Sequence, residues 1–413
     1  MKAGKTLLEL AYAFKQTKLW KTVYEEDLFA VDLDGEIGYC SLMGRNGQHT
    51  ALAVYIGAQG FSSLRDLQEI DQSNLVELLS QDCIQCSLEK REEFLPKELE
   101  EIQAYCREAG IAFRAPYPQF SRFYPYCVPC AITNQAEKKY LRTALKVVLA
   151  MAEALQQHKK TDLHLRSITF DTKGEAYIGS WGSAGPLTSN PSVTIPLFHL
   201  EKGKLMFTDI PLPPYAERKL LPPTRINEIA LARLKKLPQK GNYQCQIVRM
   251  PEPVAGNPPY VPALLLTMNE ADGMVLRPAT AEGAVYDPDE LLEEFLNTLT
   301  AHKVYPACIR IQTQETRILL EEFCNKAGIR LEVAEELPEI EEAIEALFDR
   351  YGDAENEEDK EPDRDEMMAM LCQMSLSELA GLPPVLLAQL RMMCDMGMLP
   401  DELSKKLARI RKN

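Results

Sequence analysis

The chain has 413 residues, 46% of them hydrophobic, and a formal net charge of −15 at pH 7. This length predicts two or three domains, and the hydrophobic fraction suffices for a sizeable core. No apolar run approaches the roughly 20 residues that a membrane-spanning helix needs, and the acidic balance argues against non-specific nucleic-acid binding, which depends on neutralising phosphates. We therefore expect neither a membrane nor a nucleic acid as the partner.

The cysteines and the N-terminal segment both indicate a cytoplasmic protein. The chain has 11 cysteines, and many of them lie within apolar strand or helix patterns, as expected of reduced thiols. Near the N-terminus, Leu7, Leu8, Ala11 and Phe14 recur at helical spacing without forming a continuous apolar stretch. This spacing predicts an amphipathic helix and not a signal peptide.

Residues 1–211 predict an N-terminal α+β domain with added hairpins. The first hairpin is predicted at Asp34-Gly35, because both residues tolerate positive φ. The predicted order is strands at 27–33, 36–43 and 49–57, a helix at 62–80, a strand at 82–88, a helix at 92–109, a strand at 111–115 and a helix at 135–158.

A proline-rich linker and a helix, residues 212–240, lead to a second α+β domain, residues 241–352. Asp287 and Pro288 predict the start of a helix that ends near residue 302. Strands are predicted at 244–250, 262–268, 273–277, 308–312 and 330–333, and further helices at 315–327 and 339–351. This βββαβαβα order resembles that of ribonuclease-H-like domains, which predicts a fold and no activity.

One pattern occurs in both predicted domains, at residues 83–113 and at residues 308–331. Each copy begins with Cys-Ile and later holds a cysteine that is followed, three residues on, by Ala-Gly-Ile. Both copies predict a strand, a helix with a glycine C-cap and a second strand, which is a βαβ unit. The repeat therefore predicts two tandem mixed-sheet domains of βββαβαβ type.

Several segments also resemble a known family. They are Asp27-Leu28-Phe29-Ala30-Val31, Gly35-Glu36-Ile37-Gly38-Tyr39-Cys40, Ala51-Leu52-Ala53-Val54-Tyr55-Ile56-Gly57, Pro258-Pro259-Tyr260, Asp289-Glu290-Leu291-Leu292 and Glu336-Leu337-Pro338. These segments are similar to uncharacterised bacterial proteins, common in Bacillota, that carry two domains of unknown function in tandem. The resemblance implies a soluble bacterial protein and assigns no activity, ligand or catalytic residue.

Two Cys-x-x-Cys pairs, Cys83/Cys86 and Cys127/Cys130, are the sharpest metal candidates, since four thiolates can hold tetrahedral zinc. Their context favours buried structural thiols, because an odd spacing within a strand sends Cys83 and Cys86 to opposite faces. Neither pair has the turn glycine of a zinc knuckle. We therefore predict no metal and no cofactor, with a zinc-stabilised module as the weaker alternative.

A ribonuclease-H-like fold also suggests two-metal nuclease chemistry, which needs carboxylates from several elements converging on two cations. The central strands of the second domain offer Gln244 and Gln312 in place of acids, so we predict no catalytic residue there. Acids at hairpin turns are common for structural reasons. The alternative function is nonetheless a metal-dependent nuclease or nucleic-acid-processing protein that uses acids of the N-terminal domain, namely Asp32, Asp82, Glu69 and Asp71.

A proline-punctuated loop after the predicted strand at 111–115 collects aromatic side chains around an arginine. Such a set stacks bases or lines a peptide groove in binding proteins. It equally suits a loop that packs its aromatic side chains onto the first domain. The candidate interaction residues in this loop are Tyr117, Phe120, Arg122, Phe123 and Tyr124.

The C-terminal part predicts an acidic linker, residues 353–366, and a small all-helical module, residues 367–413. The module contains eight of the 15 methionines, whose unbranched side chains suit adaptable apolar surfaces. Met392, Met393 and Met396 are its candidate interaction residues. The module is either an interaction arm or a small self-contained core, and so short a chain buries little apolar surface.

The tethered methionine-rich module and the lack of a convergent catalytic set favour one function. We expect a cytoplasmic, non-enzymatic binding or adaptor protein whose C-terminal module binds an unidentified protein partner.

Overall fold

The computed structural model describes residues 5–47, 49–69, 79–170, 176–179, 188–189, 193–216, 220–250 and 252–358. The chain divides into two compact units, Met1–Ile344 and Glu345–Asn413. In the second unit, the described residues are 345–358, and they belong to the last helix. The predicted residues Met392, Met393 and Met396 and the predicted helical module lie outside the described residues.

The described residues form eight α-helices, and none of these helices is long and apolar enough to cross a membrane. The helices are α1 Lys5–Thr17, α2 Gly57–Glu69, α3 Pro96–Ala109, α4 Gln135–Ala154, α5 Glu228–Leu234, α6 Pro288–Ala301, α7 Gln314–Ala327 and α8 Pro338–Glu358. The expectation that α8 ends near residue 351 is wrong, because the helix continues into the acidic segment that was predicted to be a linker.

The first sheet has eight strands in the order β11-β10-β1-β2-β3-β4-β5-β6. A separate three-stranded sheet has the order β7-β8-β9. The strands are β1 Phe29–Leu33, β2 Glu36–Met43, β3 Thr50–Ile56, β4 Cys83–Glu89, β5 Tyr117–Phe123, β6 Cys130–Ala131, β7 Ile168–Phe170, β8 Ala176–Ile178, β9 Thr188–Ser189, β10 Thr194–Glu201 and β11 Lys204–Pro211.

Side-chain alternation along these strands builds a core on each face of the first sheet. Val31 and Cys40 face the core formed with α1 and α4, whereas Ala30 and Tyr39 face the core formed with α2 and β7. This is the period of two that strands impose. The hairpin predicted at Asp34-Gly35 is confirmed, since both residues have positive φ and the strands pair up to Leu33↔Glu36.

The second sheet has five strands in the order β14-β13-β12-β15-β16. Its first three strands in the chain are antiparallel, whereas β12 pairs in parallel with β15 and β15 with β16. The helices α5, α6 and α7 cover one face with a separate hydrophobic core. The strands are β12 Asn242–Arg249, β13 Ala263–Asn269, β14 Ala279–Thr280, β15 Cys308–Ile311 and β16 Arg330–Val333.

The order of elements predicted for this second region is observed, but one strand is displaced. The strand predicted at 273–277 is wrong, because Val275 makes a single isolated bridge to Met268 and the paired strand comes later, at β14. The start of α6 is as predicted, with Asp287 accepting a hydrogen bond from the Asp289 N–H at 2.9 Å. The α+β class with mixed sheets is confirmed.

The βαβ unit predicted for residues 83–113 is wrong. No strand forms at residues 111–115, and the next strand, β5, pairs with β4 in the antiparallel direction. The chain continues for six residues between Gly110 and Tyr117, which is long enough for it to return along the same edge. The two sheets therefore do not repeat one architecture.

Candidate functional site

Arg122, one of the candidate interaction residues, is the centre of a buried ion network. Its side chain is 12% exposed and lies within 2.8 Å of Glu137 and 2.6 Å of Asp82. It also donates to the backbone carbonyl of Cys83 at 3.2 Å and to that of Phe123. Burial opposes the charge, but attraction to the two carboxylates outweighs it and raises the pKa of Arg122.

Local structure explains why this network forms at the start of α4. Asn134 caps the helix by accepting the Ala136 N–H at 2.8 Å, and Glu137 lies in the first turn, where the helix dipole favours a carboxylate. One oxygen of Glu137 is buried without a hydrogen-bond partner among the described residues. Arg122 therefore links β4, β5 and α4, which is a structural role.

The loop predicted around the other aromatic residues is wrong, since Tyr117, Phe120 and Phe123 lie on β5. Tyr117 is 5% exposed and packs against Phe94 and Phe113. Tyr124 comes directly after the strand and is 36% exposed, with the guanidinium of Arg122 at 4.1 Å from its ring centroid. The structure thus brings these residues together as packing around one edge of the first sheet.

Of the acids that the nuclease alternative requires, the two whose side chains the structure describes, Asp32 and Asp82, lie at different strands and have separate partners. Asp32 lies on β1 and accepts the Gly35 N–H at 3.0 Å, which shapes the hairpin. Asp82 precedes β4 and pairs with Arg122. Two strands separate β1 from β4, which places the two strand backbones about 14 Å apart at the usual strand spacing. Two-metal chemistry needs cations only about 4 Å apart. Asp71 lies outside the described residues, and the side chain of Glu69 is not described.

The cysteine pairs have the geometry of structural thiols. Cys83 and Cys86 belong to the cores on opposite faces of the first sheet, as their spacing predicts. Burial raises the pKa of Cys83 to about 12 and also raises the pKa of Cys86. Within the described ranges, no group of three or more His, Cys, Asp or Glu side chains is arranged to hold a metal ion.

The second sheet has a polar cluster around its adjacent strands β12 and β15, which we call the Arg310 cluster. It consists of Gln244, Glu270, Arg310, Glu332 and Glu339. Gln244 on β12 and Arg310 on β15 are direct cross-strand partners. Arg310 Nη1 lies 2.9 Å from both oxygens of Glu270, and its Nε lies 3.1 Å from Glu332.

Gln244 connects this cluster to the start of α8. Its amide nitrogen donates to Glu339 at 2.9 Å, and its amide oxygen accepts the Ile340 N–H at 3.2 Å. Gln244 is 3% exposed, so these bonds satisfy a buried amide. The hydrogen bond from Arg310 lowers the pKa of Glu332, and that from Gln244 lowers the pKa of Glu339.

In this cluster the Arg310 guanidinium holds the carboxylates of Glu270 and Glu332. A cation that entered would have to displace charge-assisted hydrogen bonds to Arg310. The sequence indicated Gln244 and the lack of acids on the central strands, but it did not indicate Arg310, Glu270 or Glu332 as partners. An arginine in the middle of an apolar strand is the signal that points to them, because a partly buried guanidinium needs carboxylates nearby.

The segment after β5 joins the two sheets within the first unit. The Val128 N–H donates to Pro259 at 2.8 Å, and the Val261 N–H donates to Tyr126 at 2.9 Å. The Arg249 guanidinium lies 3.9 Å from the ring centroid of Tyr126. Cys127, the first member of the second cysteine pair, lies in this segment and forms an isolated antiparallel backbone bridge with Tyr260, whereas Cys130 begins β6.

Two family models match the chain. Residues 5–170 match a domain of unknown function (DUF7309), and residues 230–348 match a second domain of unknown function (DUF6930). The chain carries two domains of unknown function in tandem. The resemblance to proteins with such a tandem is confirmed at this level, and no curated protein matches the chain.

Two solved structures show weak similarity, and both are of the HTLV-2 integrase catalytic core domain in complex with magnesium. The trimeric form is 11% identical, with 42% of this chain and 82% of that chain covered and a TM-score of 0.20. The dimeric form is 12% identical, with 41% and 83% covered and a TM-score of 0.18. TM-scores this low do not establish a shared fold.

Proposed function

We propose that this tandem-domain protein is a non-enzymatic cytoplasmic binding or adaptor protein of bacterial origin, which recruits a protein partner through its C-terminal segment. The observation that carries the proposal is the pairing of acids with arginines. Glu270 and Glu332 are held by Arg310, and Asp82 is held by Arg122. A hydrolytic metal site needs carboxylates that are free to converge on cations.

We propose further that the second region has a ribonuclease-H-like fold. Its support is the strand order β14-β13-β12-β15-β16 with three antiparallel strands followed by two parallel ones. In this interpretation, Gln244 and Arg310 occupy the central strands where catalytic members of such a fold carry acids. The fold then serves as a scaffold, since a fold does not imply an activity.

The C-terminal segment supplies the recruiting surface in this proposal. Methionine side chains repack at little cost and recur on adaptable binding surfaces. The acidic residues that precede them, nine between Asp353 and Glu366, keep the segment hydrated and repel other acidic surfaces.

The test is quantitative affinity capture with the full chain from a lysate of the organism that encodes it. The variant Met392→Gln, Met393→Gln, Met396→Gln replaces three predicted contact residues with polar ones of similar length. We expect the specific partner to be recovered at least about tenfold less, because apolar anchors dominate such interfaces.

The matched control is Met367→Gln, Met368→Gln, Met370→Gln, which makes the same chemical change in the same segment. It is expected to retain the partner. Equal recovery with the wild type and both variants would contradict a recruiting role for residues 392–396.

A further inference from the structure

A cavity opens beside the first sheet, where α1, α3, β5 and the start of α4 approach one another. It holds about 630 Å³ of empty space, its open mouth included. Most of its walls are apolar, as in sites that bind small molecules. The main apolar side chains in the lining are Leu7, Leu8, Phe94, Ile102, Phe120 and Ile132. We call this space the Glu101 cavity, after a carboxylate in its lining.

The Glu101 cavity lies between two of the hydrophobic clusters of the first region. Leu7 and Ile132 belong to the core formed with α1 and α4, whereas Leu8, Phe94 and Ile102 belong to a smaller cluster under α3. Apolar walls that face empty space lack part of the dispersion contacts of a packed core. An apolar group in the cavity would supply those contacts, so the space favours a ligand with an apolar body.

Two polar side chains of the lining are already held near the start of α3. Glu98 accepts the Leu95 N–H at 3.0 Å, and the side-chain amide of Gln119 donates to the Glu93 carbonyl at 3.4 Å. These bonds fix the α3 side of the cavity before a ligand binds. Walls that are already ordered lower the cost of binding.

Glu101 is the carboxylate that remains for a ligand. It follows Glu98 by three residues on α3, which places both on the same face of the helix. Glu101 is half-buried, and no hydrogen bond or ion pair from another described residue engages its side chain. Lys138 lines the α4 side of the cavity. Its single positive charge against two carboxylates leaves the lining net negative, so the cavity favours a cation over an anion.

We propose that the Glu101 cavity binds a small organic ammonium, whose charged group pairs with Glu101 and whose apolar body lies against Phe94, Ile102 and Phe120. A hydrogen bond between two charged groups is stronger than one between neutral groups, and the apolar walls strengthen it further by lowering the local dielectric. An anion of the same shape would meet two carboxylates. The site does not depend on the proposed C-terminal recruitment.

The first experiment is isothermal titration calorimetry of the full chain with two probes of one shape. The cationic probe is 2-phenylethylamine, and the anionic probe is 3-phenylpropanoate, which has the same phenylethyl body. We expect the amine to bind with a dissociation constant at least about tenfold smaller than that of the carboxylate, since one charge-assisted hydrogen bond is gained and a like charge is avoided.

Substitutions at Glu101 test the ion pair. Glu101→Gln should raise the dissociation constant of the amine at least about tenfold, whereas Glu101→Asp keeps the charge and should retain most of the affinity. Glu100→Gln is the matched control, because Glu100 is exposed and does not line the cavity. Lys138→Gln should not weaken amine binding, because it removes a like charge.

A separate pair of variants tests the cavity itself. Ala131 is exposed and lies in the lining, so Ala131→Phe places a ring in the mouth without disturbing the core. It should abolish binding of the amine. Ala104→Phe makes the same change at an exposed position of α3 outside the lining and should bind the amine as the wild type does.

Equal affinity for the amine and the carboxylate, or no binding of either probe, would overturn the proposal. So would a loss in Lys138→Gln that matches the loss in Glu101→Gln, since the contact would then be to the lysine. Amine binding that Ala131→Phe, shown to be folded by circular dichroism, leaves unchanged would place the ligand elsewhere. Loss of captured partners in the methionine variant with unchanged amine binding would leave this inference intact and separate it from the proposed function.

Discussion

The two copies of the repeated sequence pattern share a helix end and differ in the direction of the next strand. In the first copy Gly110 has φ 67° and the Ile111 N–H donates to Cys106 at 2.9 Å. In the second copy Gly328 has φ 73° and the Ile329 N–H donates to Cys324 at 2.9 Å. This is the bond of a Schellman motif in both places.

The connection between the glycine and the next strand is also longer in the first copy than in the second. β16 begins at Arg330 and continues in parallel beside β15, whereas β5 begins at Tyr117 and returns antiparallel beside β4. A local signal can therefore be read from the sequence, whereas the direction of the next strand is set by how that strand pairs across the sheet.

The largest difference in stability effect between the first and second sheets is expected when Arg122 and Arg310 are replaced. Arg122→Ala should lower the free energy of unfolding by about 3–5 kcal/mol, because it leaves Asp82 and the buried Glu137 without their counter-charge. Arg310→Ala should cost much less, because the Arg310 side chain is 38% exposed and water screens the pair. Urea denaturation of both variants measures the difference. Equal losses would contradict the distinction between a buried and a half-exposed network.

The strands that open the two copies, β4 and β15, are expected to contribute equally to the free energy of unfolding, although their neighbouring strands differ. Ile84 and Ile309 are both fully buried, at 0% exposure. Ile84→Ala and Ile309→Ala should each destabilise the protein by about 2–5 kcal/mol, through lost burial and the cavity left behind. Denaturant titrations test this, with Val333→Ala as the control at a position that is 62% exposed. A loss below about 1 kcal/mol in either copy would show that its strand is not part of a packed core.

Replacing the C-cap glycine should destabilise the protein equally in both copies. Gly110→Ala and Gly328→Ala force a side chain into the left-handed region, at about 1–2 kcal/mol, partly offset by a stiffer unfolded chain. A Cβ would meet nothing within 4 Å at Gly110 and only the Tyr305 hydroxyl at 4.0 Å at Gly328, so conformation and not crowding sets the cost. The melting temperatures of the two variants should fall by similar amounts. A fall in only one variant would show that the two caps differ in their contribution to stability.

A smaller effect concerns acid stability at the end of β4. The hydrogen bond from His49 lowers the pKa of Glu89 below its usual 4.5. A carboxyl with a lowered folded pKa stabilises the protein above about pH 4.5, and this contribution is lost as the pH falls through the folded value. NMR titration of Glu89 should show the lowered midpoint, and His49→Ala should raise it. An unchanged midpoint in that variant would remove His49 as the cause.

Signals carried by neighbouring residues were predictable, and pairings across the chain were not. The Asp34-Gly35 hairpin, the Asp287 cap and the glycine C-caps result from conformational preferences of single residues. The burial of Cys83 and Cys86 on opposite faces results from strand alternation. The direction of β5 depends on how the strand pairs with β4 across the sheet, which leaves no mark in the local sequence.

The Arg310 cluster likewise could not be predicted from the sequence, because its members come from distant parts of the chain. Gln244 and Arg310 are 66 residues apart in the chain, and their pairing exists because β12 and β15 are adjacent. Glu270 and Glu339 come from a loop and a helix start that meet only in the folded sheet. The polar residue types on apolar strands were visible in the sequence, whereas their partners required the strand order.

The central claim is that these carboxylates stabilise arginines and do not bind catalytic cations. The most direct measurement is cleavage of labelled single- and double-stranded DNA and RNA by the full chain in Mg²⁺ or Mn²⁺, with Glu270→Gln and Asp82→Asn as paired variants. The account predicts no metal-dependent cleavage above that of the two variants. Metal-dependent cleavage by the wild type that either variant abolishes would contradict it.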